Sequence, residues 1–256
     1  MLTMVGQLYD AGKMLFHSFG SVWHLSLAYI LFTTLFFDQY LVPFLVKTLM
    51  VSKNMIWFSL GMYSVTIIAC FVTMIFIIPI ALVIRHACFH GGPIPYTKIG
   101  GAFIKRLPSF FLVILLVYIL IAIALMIFVL PGVYLSVAFF FTPACFFFDG
   151  DMAITSILNS KALVRKRWWY MLGKLIFFAI VSFFIIQVLG SLTLVLGIPT
   201  SVRLILLYLL QLAFIPFLVS IYLVLFEQLK IAKVDRELEE AQEEQKLTPS
   251  KIVKFG

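Results

Sequence analysis

The sequence predicts an all-α fold, a polytopic membrane bundle of six transmembrane helices. Composition is the first indication, because 63% of the 256 residues are hydrophobic and only 12% are charged, whereas an ordinary soluble domain is about 25% charged. Mean hydropathy is accordingly high, at +1.13. The second indication is that apolar residues form runs of about 20, the length of helix that crosses the hydrocarbon layer of a bilayer. A transmembrane barrel would instead show alternating segments of about ten residues.

The apolar runs pair into three hairpins. The expected spans are Val22–Val46, Met55–Ile84, Phe110–Leu130, Gly132–Phe148, Trp168–Leu196 and Val202–Phe226. An amphipathic segment precedes each hairpin, at residues 4–19, 96–107 and 152–166. Segments of this kind are too polar to cross a bilayer and lie along its surface, so we expect three interfacial helices on the cytoplasmic side.

The same order of elements recurs along the chain. Residues 4–84, 94–148 and 152–227 each contain an interfacial segment followed by two spans. The sequence therefore predicts a membrane domain of residues 1–227 with three repeat-like units. Residues 228–256 are expected to form a charged cytoplasmic tail.

The positive charge of the chain, +8 in all, is unevenly distributed between the two ends of the spans. With the N-terminus inside, the outer loops hold Lys47, Lys53 and Arg203, and all other Lys and Arg residues fall on the inner side or in the tail. Basic residues resist translocation, so both termini are expected in the cytoplasm. Topology accounts for the charge, and nucleic-acid binding is not expected.

Basic and aromatic residues cluster where the chain begins its third and fifth spans. The candidate ligands for anionic lipid headgroups are Lys161, Arg165, Lys166, Arg167, Trp168 and Trp169, together with Lys98, Lys105 and Arg106. Long basic side chains lift their charges to the headgroup layer, and Trp favours the same depth. Each basic residue contributes about 1 kcal/mol near an anionic surface. The alternative is anchoring of the inner face without a specific lipid.

The tail helix expected at residues 228–246 is a candidate site for a protein partner. It carries a narrow apolar stripe of Ile231, Val234 and Leu238. Lys233–Glu237 and Arg236–Glu240 have the four-residue spacing of helix-stabilising ion pairs.

Three polar residues within the spans are candidates for an intramembrane site. They are Asp38, Gln187 and Gln211. A charge at the centre of a bilayer costs about 2.5–3.5 kcal/mol, so Asp38 either lies near the outer interface or faces other helices. The second arrangement would favour a transporter or channel.

Histidine and acidic residues near the inner face are weak candidates for metal binding and catalysis. His86 and His90 are four residues apart and share a helix face, but no carboxylate or cysteine pair accompanies them in the sequence, so no metal or other cofactor is expected. A membrane-embedded hydrolase or transferase would need His86, His90, Asp149 and Asp151 to converge. No catalytic constellation is evident, and a non-enzymatic protein is expected.

A family pattern runs from the second hairpin into the fifth span. It consists of Leu130-Pro131-Gly132-Val133-Tyr134-Leu135, Pro143, the break at Asp149-Gly150, Ser160, and Arg165 to Trp169 leading to Gly173. The pattern resembles the membrane domain of bacterial glycerophosphoryl diester phosphodiesterases and its stand-alone relatives. Relatives often carry a basic residue where this chain has Phe139-Phe140-Phe141.

The resemblance implies a helical membrane fold in the bacterial inner membrane. It does not imply phosphodiesterase activity, because these residues contain neither the soluble barrel nor its metal-binding acidic and His residues. The sequence therefore predicts a non-enzymatic inner-membrane protein that engages lipids or a membrane partner, in lipid homeostasis or transport of the envelope. A transporter or channel, and a hydrolase or transferase, are the alternatives.

Overall fold

The computed structural model describes residues 4–33, 43, 47, 55–89, 96–197 and 199–247. The helices are α1 (Met4–Phe32), α2 (Met55–Phe89), α3 (Tyr96–Ile127), α4 (Val129–Ala138), α5 (Thr142–Phe148), α6 (Ala153–Val164), α7 (Trp168–Val195) and α8 (Thr200–Leu247). A 3-10 turn, Arg165–Arg167, joins α6 to α7. The described residues contain no strand, so the all-α prediction is confirmed.

The helices are long and apolar enough for a multi-pass membrane protein. Five stretches qualify as spans, namely Phe71–Cys88, Ile99–Ile127, Val129–Phe148, Ala153–Ile185 and Tyr208–Glu243. A sixth is obtained if the bent α1 counts as one span, because its segments Leu8–Phe16 and Gly20–Phe32 meet at 96°. The bend falls between the predicted interfacial segment and the predicted first span.

Residues 96–107 do not form a separate helix before the third span. They are the first turns of α3, which continues through Pro108. Proline removes one backbone hydrogen bond, but the buried face of the helix is maintained across it by Phe103, Phe110 and Val113. Because the same face packs against the bundle on both sides of Pro108, the helix continues.

The predicted fourth span consists of two helices with an aromatic turn between them. Phe139–Phe141 separate α4 from α5, and Phe139 and Phe141 are buried. Pro143 lies in the first turn of α5, where a missing amide hydrogen costs nothing. The hydroxyl of Ser160 on α6 donates a 2.8 Å hydrogen bond to the carbonyl of Ala138, which satisfies an acceptor at the end of α4.

One residue, Phe128, connects α3 to α4 at the opposite end of this hairpin. Its extended backbone reverses the chain, and Gly132 of α4 then packs directly against α3. A Cβ atom at Gly132 would lie 2.3 Å from Cδ2 and 3.0 Å from the Cα of Leu125. Gly132, predicted in the turn but located in the first turns of α4, is therefore required for close packing, a common role of small residues between membrane helices.

Gly132→Ala should lower the free energy of unfolding by about 1–3 kcal/mol, because the new methyl group forces α3 and α4 apart. Thermal unfolding of the detergent-solubilised protein measures the change. Gly101→Ala is the matched control, since no atom lies within 4 Å of the corresponding Cβ position and alanine favours a helix by about 0.5–1 kcal/mol. Equal stability of the two variants would contradict the packing assigned to Gly132.

Candidate functional site

Arg85, at the end of α2, connects three helices. Its Nε donates a 3.1 Å hydrogen bond to Oε1 of Glu227 on α8. Its Nη1 donates a 3.2 Å bond to the carbonyl of Phe148 on α5, and the guanidinium lies 5.1 Å from the centroid of the Phe148 ring. The Arg85 and Glu227 side chains are 24% and 22% exposed. We call these contacts the Arg85 clamp.

The break at Asp149-Gly150-Asp151 extends the polar end of the bundle. Gly150 has a φ of +75°, in the left-handed region that favours glycine. The Asp149 carboxylate pairs with Lys230 of α8, and the amide of Asn159 donates a 2.7 Å hydrogen bond to Asp151. The acidic pair therefore fastens the chain after α5 to α6 and α8.

The same break contains a cysteine and two carboxylates close together. The ligand atoms of Cys145, Asp149 and Asp151 lie within 4.8 Å of one another, a spacing compatible with a metal ion. Both carboxylates already have side-chain partners, and Cys145 is fully buried. In this geometry the cluster caps α5, because the amides of Asp149 and Asp151 both donate to the carbonyl of Cys145.

The histidine hypotheses concern His86 and His90. His86 is half-buried on α2, whereas His90 lies outside the described residues. The metal and catalytic hypotheses that combine the two histidines therefore stay predictions.

Most of the predicted headgroup ligands come together on one surface. We define the basic-aromatic surface as Tyr134, Lys161, Arg165, Lys166, Arg167, Trp168, Trp169 and Tyr170. Two adjoining pockets lie on it, with volumes of about 540 and 480 Å³, and share Tyr134 and Arg165. The larger is lined by the 3-10 turn and the start of α7, and the smaller by α6.

Local structure sets the directions of these side chains. A 3-10 helix has about three residues per turn, so successive residues of the Arg165–Arg167 turn point to different sides. Trp168 is held in place by a 3.2 Å hydrogen bond from its Nε1 to the carbonyl of Tyr134. Trp169, 79% exposed, packs edge-on against Trp168 with ring centroids 4.7 Å apart.

Three of the cations on this surface are not neutralised by an acidic neighbour. Among the described residues, no carboxylate lies within 4.0 Å of the charged groups of Lys161, Arg165 or Arg167. Lys166 pairs with Glu240 of α8 at 2.5 Å, but both side chains are exposed, and such pairs contribute at most about 1 kcal/mol. The surface therefore keeps a positive charge.

The remaining predicted headgroup ligands lie on α3. Lys105 is exposed and lines neither pocket of the basic-aromatic surface. Arg106 extends toward the break after α5, where its Nη1 donates a 3.3 Å hydrogen bond to the carbonyl of Phe146. Lys98 occupies the first turn of the same helix.

The polar residues predicted within the spans do not meet at one described site. Gln187 is exposed on α7 and Gln211 is exposed on α8. Asp38 lies outside the described residues. The hypothesis of an intramembrane site that includes Asp38 stays a prediction.

Sequence reasoning missed Lys174 on α7. Its side chain is 1% exposed, and its ammonium lies 4.0 Å from the centroid of the Tyr170 ring, a cation–π contact. Its Nζ has no hydrogen-bond partner among the described residues. The available signal was a lysine four residues after a tyrosine within an apolar run, since that spacing places both on one helix face.

Comparisons with known proteins assign no family to this chain, so its class is argued from its own structure. The chain matches no family model, no curated protein and no solved structure. Its helices define a multi-pass membrane protein. The resemblance to the membrane domain of glycerophosphoryl diester phosphodiesterases stays a prediction.

Arg85→Met and Glu227→Met should each lower the free energy of unfolding by about 1–3 kcal/mol, because each leaves a partly buried charge without its partner. The double variant should lose less than the sum of the two. A double-mutant cycle in thermal unfolding measures this coupling.

The control cycle uses Lys233 and Glu237, an exposed pair at 3.7 Å, with an expected coupling of about 0.3–0.5 kcal/mol. A coupling at Arg85 and Glu227 no larger than this would contradict the clamp.

Proposed function

We propose that this chain is a non-enzymatic protein of the bacterial inner membrane that binds anionic phospholipid headgroups through its basic-aromatic surface. The observation that carries the proposal is the pair of pockets lined by Lys161, Arg165 and Arg167. These cations have no acidic partner within 4.0 Å among the described residues. A phosphate group would supply the missing negative charge.

The chemistry of the surface suits a phosphate at headgroup depth. The planar guanidinium of arginine binds phosphate oxygens with two parallel hydrogen bonds. Trp168 and Trp169 are side chains that favour the interface between hydrocarbon and water. Each added basic residue strengthens binding to an anionic membrane by about 1 kcal/mol.

The length of the helical run supports the position of this surface at the edge of the membrane. The apolar stretch Ala153–Ile185 has 33 residues and would be about 50 Å long as a helix, whereas the hydrocarbon layer is about 30 Å thick. The cations at 161–167 would therefore stay outside the hydrocarbon, with the span starting near Trp168.

We place the basic-aromatic surface on the cytoplasmic side, together with both termini, because basic residues collect on that side. Headgroup binding there would serve lipid homeostasis or lipid transport in the cell envelope. The resemblance to the phosphodiesterase membrane domain is in accord with this location.

A second proposed role belongs to the exposed face of α8 at residues 228–246. Ile231, Val234 and Leu238 are 62%, 49% and 57% exposed and follow one another at spacings of three and four residues. This stripe has the pattern with which a helix packs against a partner helix. We propose a protein partner for it.

Lipid retention tests the main proposal. The protein is purified gently with phosphatidylglycerol and phosphatidylcholine of the same chains and examined by native mass spectrometry. The double variant Lys161→Gln/Arg165→Gln should bind phosphatidylglycerol about 30-fold more weakly, since two basic residues contribute about 2 kcal/mol.

The matched control is Lys13→Gln/Lys105→Gln, which removes the same charge from exposed residues outside the surface. It should leave the preference for phosphatidylglycerol in place. An equal loss in both double variants would mean general electrostatic anchoring, and no loss in either would rule out headgroup binding at this surface.

A further inference from the structure

An apolar cavity of about 350 Å³ lies inside the bundle, away from the basic-aromatic surface. Its walls include Tyr29 of α1, Ile78 and Ala81 of α2, Ala144 after the aromatic turn, and Val219 and Tyr222 of α8. Along α2 it extends from Met74 to Ala81, and along α8 from Ile215 to Tyr222. Each stretch is about 10 Å long at the rise of an α-helix, so the cavity is elongated parallel to the spans.

Three prolines lie at or next to this cavity. Pro143 lines it directly, while Pro79 follows Ile78 in α2 and Pro216 follows Ile215 in α8. Proline within a helix removes a backbone hydrogen bond and bends the helix. Both α2 and α8 therefore carry a helix-weakening residue beside the cavity.

The apolar lining of the cavity is better suited to a hydrocarbon chain than to water. Its side-chain polar groups are the hydroxyls of Tyr29 and Tyr222, and the Tyr222 hydroxyl already donates to the carbonyl of Phe140 at 3.5 Å. A buried water molecule needs two to four polar partners. Most of its lining belongs to helices long and apolar enough to span a membrane, where the surrounding molecules would be the acyl chains of lipids.

A second pocket, of about 470 Å³, adjoins the cavity beside the break at Asp149-Gly150. Phe148 forms a wall of both. Arg106 lines the second pocket, and its guanidinium nitrogens lie 3.7 Å from the position a Cβ of Gly150 would take. No carboxylate lies within 4.0 Å of this guanidinium among the described residues, and the nearby Asp149 is paired with Lys230.

We infer that the two spaces together bind one anionic phospholipid, with its phosphate at Arg106 and one acyl chain in the apolar cavity. A cationic pocket next to an elongated apolar one matches the two parts of such a molecule. Phe148, held by the Arg85 clamp, marks the boundary between headgroup and chain. This site shares no lining residue with the basic-aromatic surface and does not depend on the function proposed for that surface.

Variants that fill the cavity or remove the cation test the inference. Ala144→Leu occupies the cavity, and Arg106→Gln removes the charge. The controls are Ala179→Leu, the same substitution on an exposed position of α7, and Lys105→Gln, the same loss of charge one residue away. Each delipidated protein is titrated with phosphatidylglycerol or with phosphatidylcholine of the same chains, and bound lipid is counted by native mass spectrometry.

The wild-type protein should retain one phosphatidylglycerol that survives Lys161→Gln/Arg165→Gln. Ala144→Leu should abolish that retention for both lipids. Arg106→Gln should weaken phosphatidylglycerol about tenfold, the loss of a hydrogen bond to a charged group. It should weaken phosphatidylcholine less, because the choline cation offsets the attraction between its phosphate and Arg106. Neither control should change either lipid.

Three results would overturn the inference. Unchanged lipid retention in Ala144→Leu, with a higher thermal midpoint, would mean that the cavity is a packing void. An undiminished preference for phosphatidylglycerol in Arg106→Gln would exclude the headgroup position. If Ala144→Leu does not fold, Ala81→Leu fills the same cavity from α2 and decides by the same criteria. Loss of all bound lipid in Lys161→Gln/Arg165→Gln alone would leave the proposed function standing and remove this site.

Discussion

The Arg85 clamp is the contact on which the arrangement of the bundle depends. Inside a bilayer, apolar side chains gain little by leaving lipid for one another, so close packing and polar contacts must select the helix arrangement. Arg85 supplies such contacts, since one guanidinium reaches Glu227 of α8 and the carbonyl at the end of α5. Helices α2, α5 and α8 are thereby fixed at one end.

Other features of the bundle follow from what happens at its two ends. At the charged end, Asp149 pairs with Lys230 and brings α5 close to α8. At the opposite end of the α3–α4 hairpin, Gly132 lets the two helices pack closely. Between the ends, the apolar cavity lies beside the prolines of α2 and α8. Close packing and open space thus occur at different depths of one bundle.

Hydropathy and local patterns predict much of this structure from the sequence. The apolar runs and the break at Asp149-Gly150-Asp151 are local features, and both appear in the described structure. The turn predicted at Pro131-Gly132 lies a few residues earlier, at Phe128, and Pro131 and Gly132 belong to α4. The grouping of Lys161 with Arg165 to Trp169 is also local, because these residues belong to one helix, one turn and the start of the next helix.

Contacts between residues far apart in the chain could not be predicted from the sequence. Arg85 and Glu227 are 142 residues apart, and hydropathy gives the depth of each but not the side of the helix it faces. Glu240 was expected to pair with Arg236, yet it pairs with Lys166, which comes near only after folding. Pro108 has the local signature of a helix boundary, but tertiary packing on both sides maintains α3.

The most direct test of the account is the side of the membrane on which the two ends of the bundle lie. Single cysteines at Thr155 and Leu196, both exposed, would be introduced into a chain whose native cysteines are replaced, and sealed vesicles would be treated with a membrane-impermeant maleimide. Because α7 has 28 residues and would be about 40 Å long, the account predicts labelling of the two positions from opposite sides. Labelling of both from the same side would contradict a bundle that crosses the membrane with its charged end at one surface.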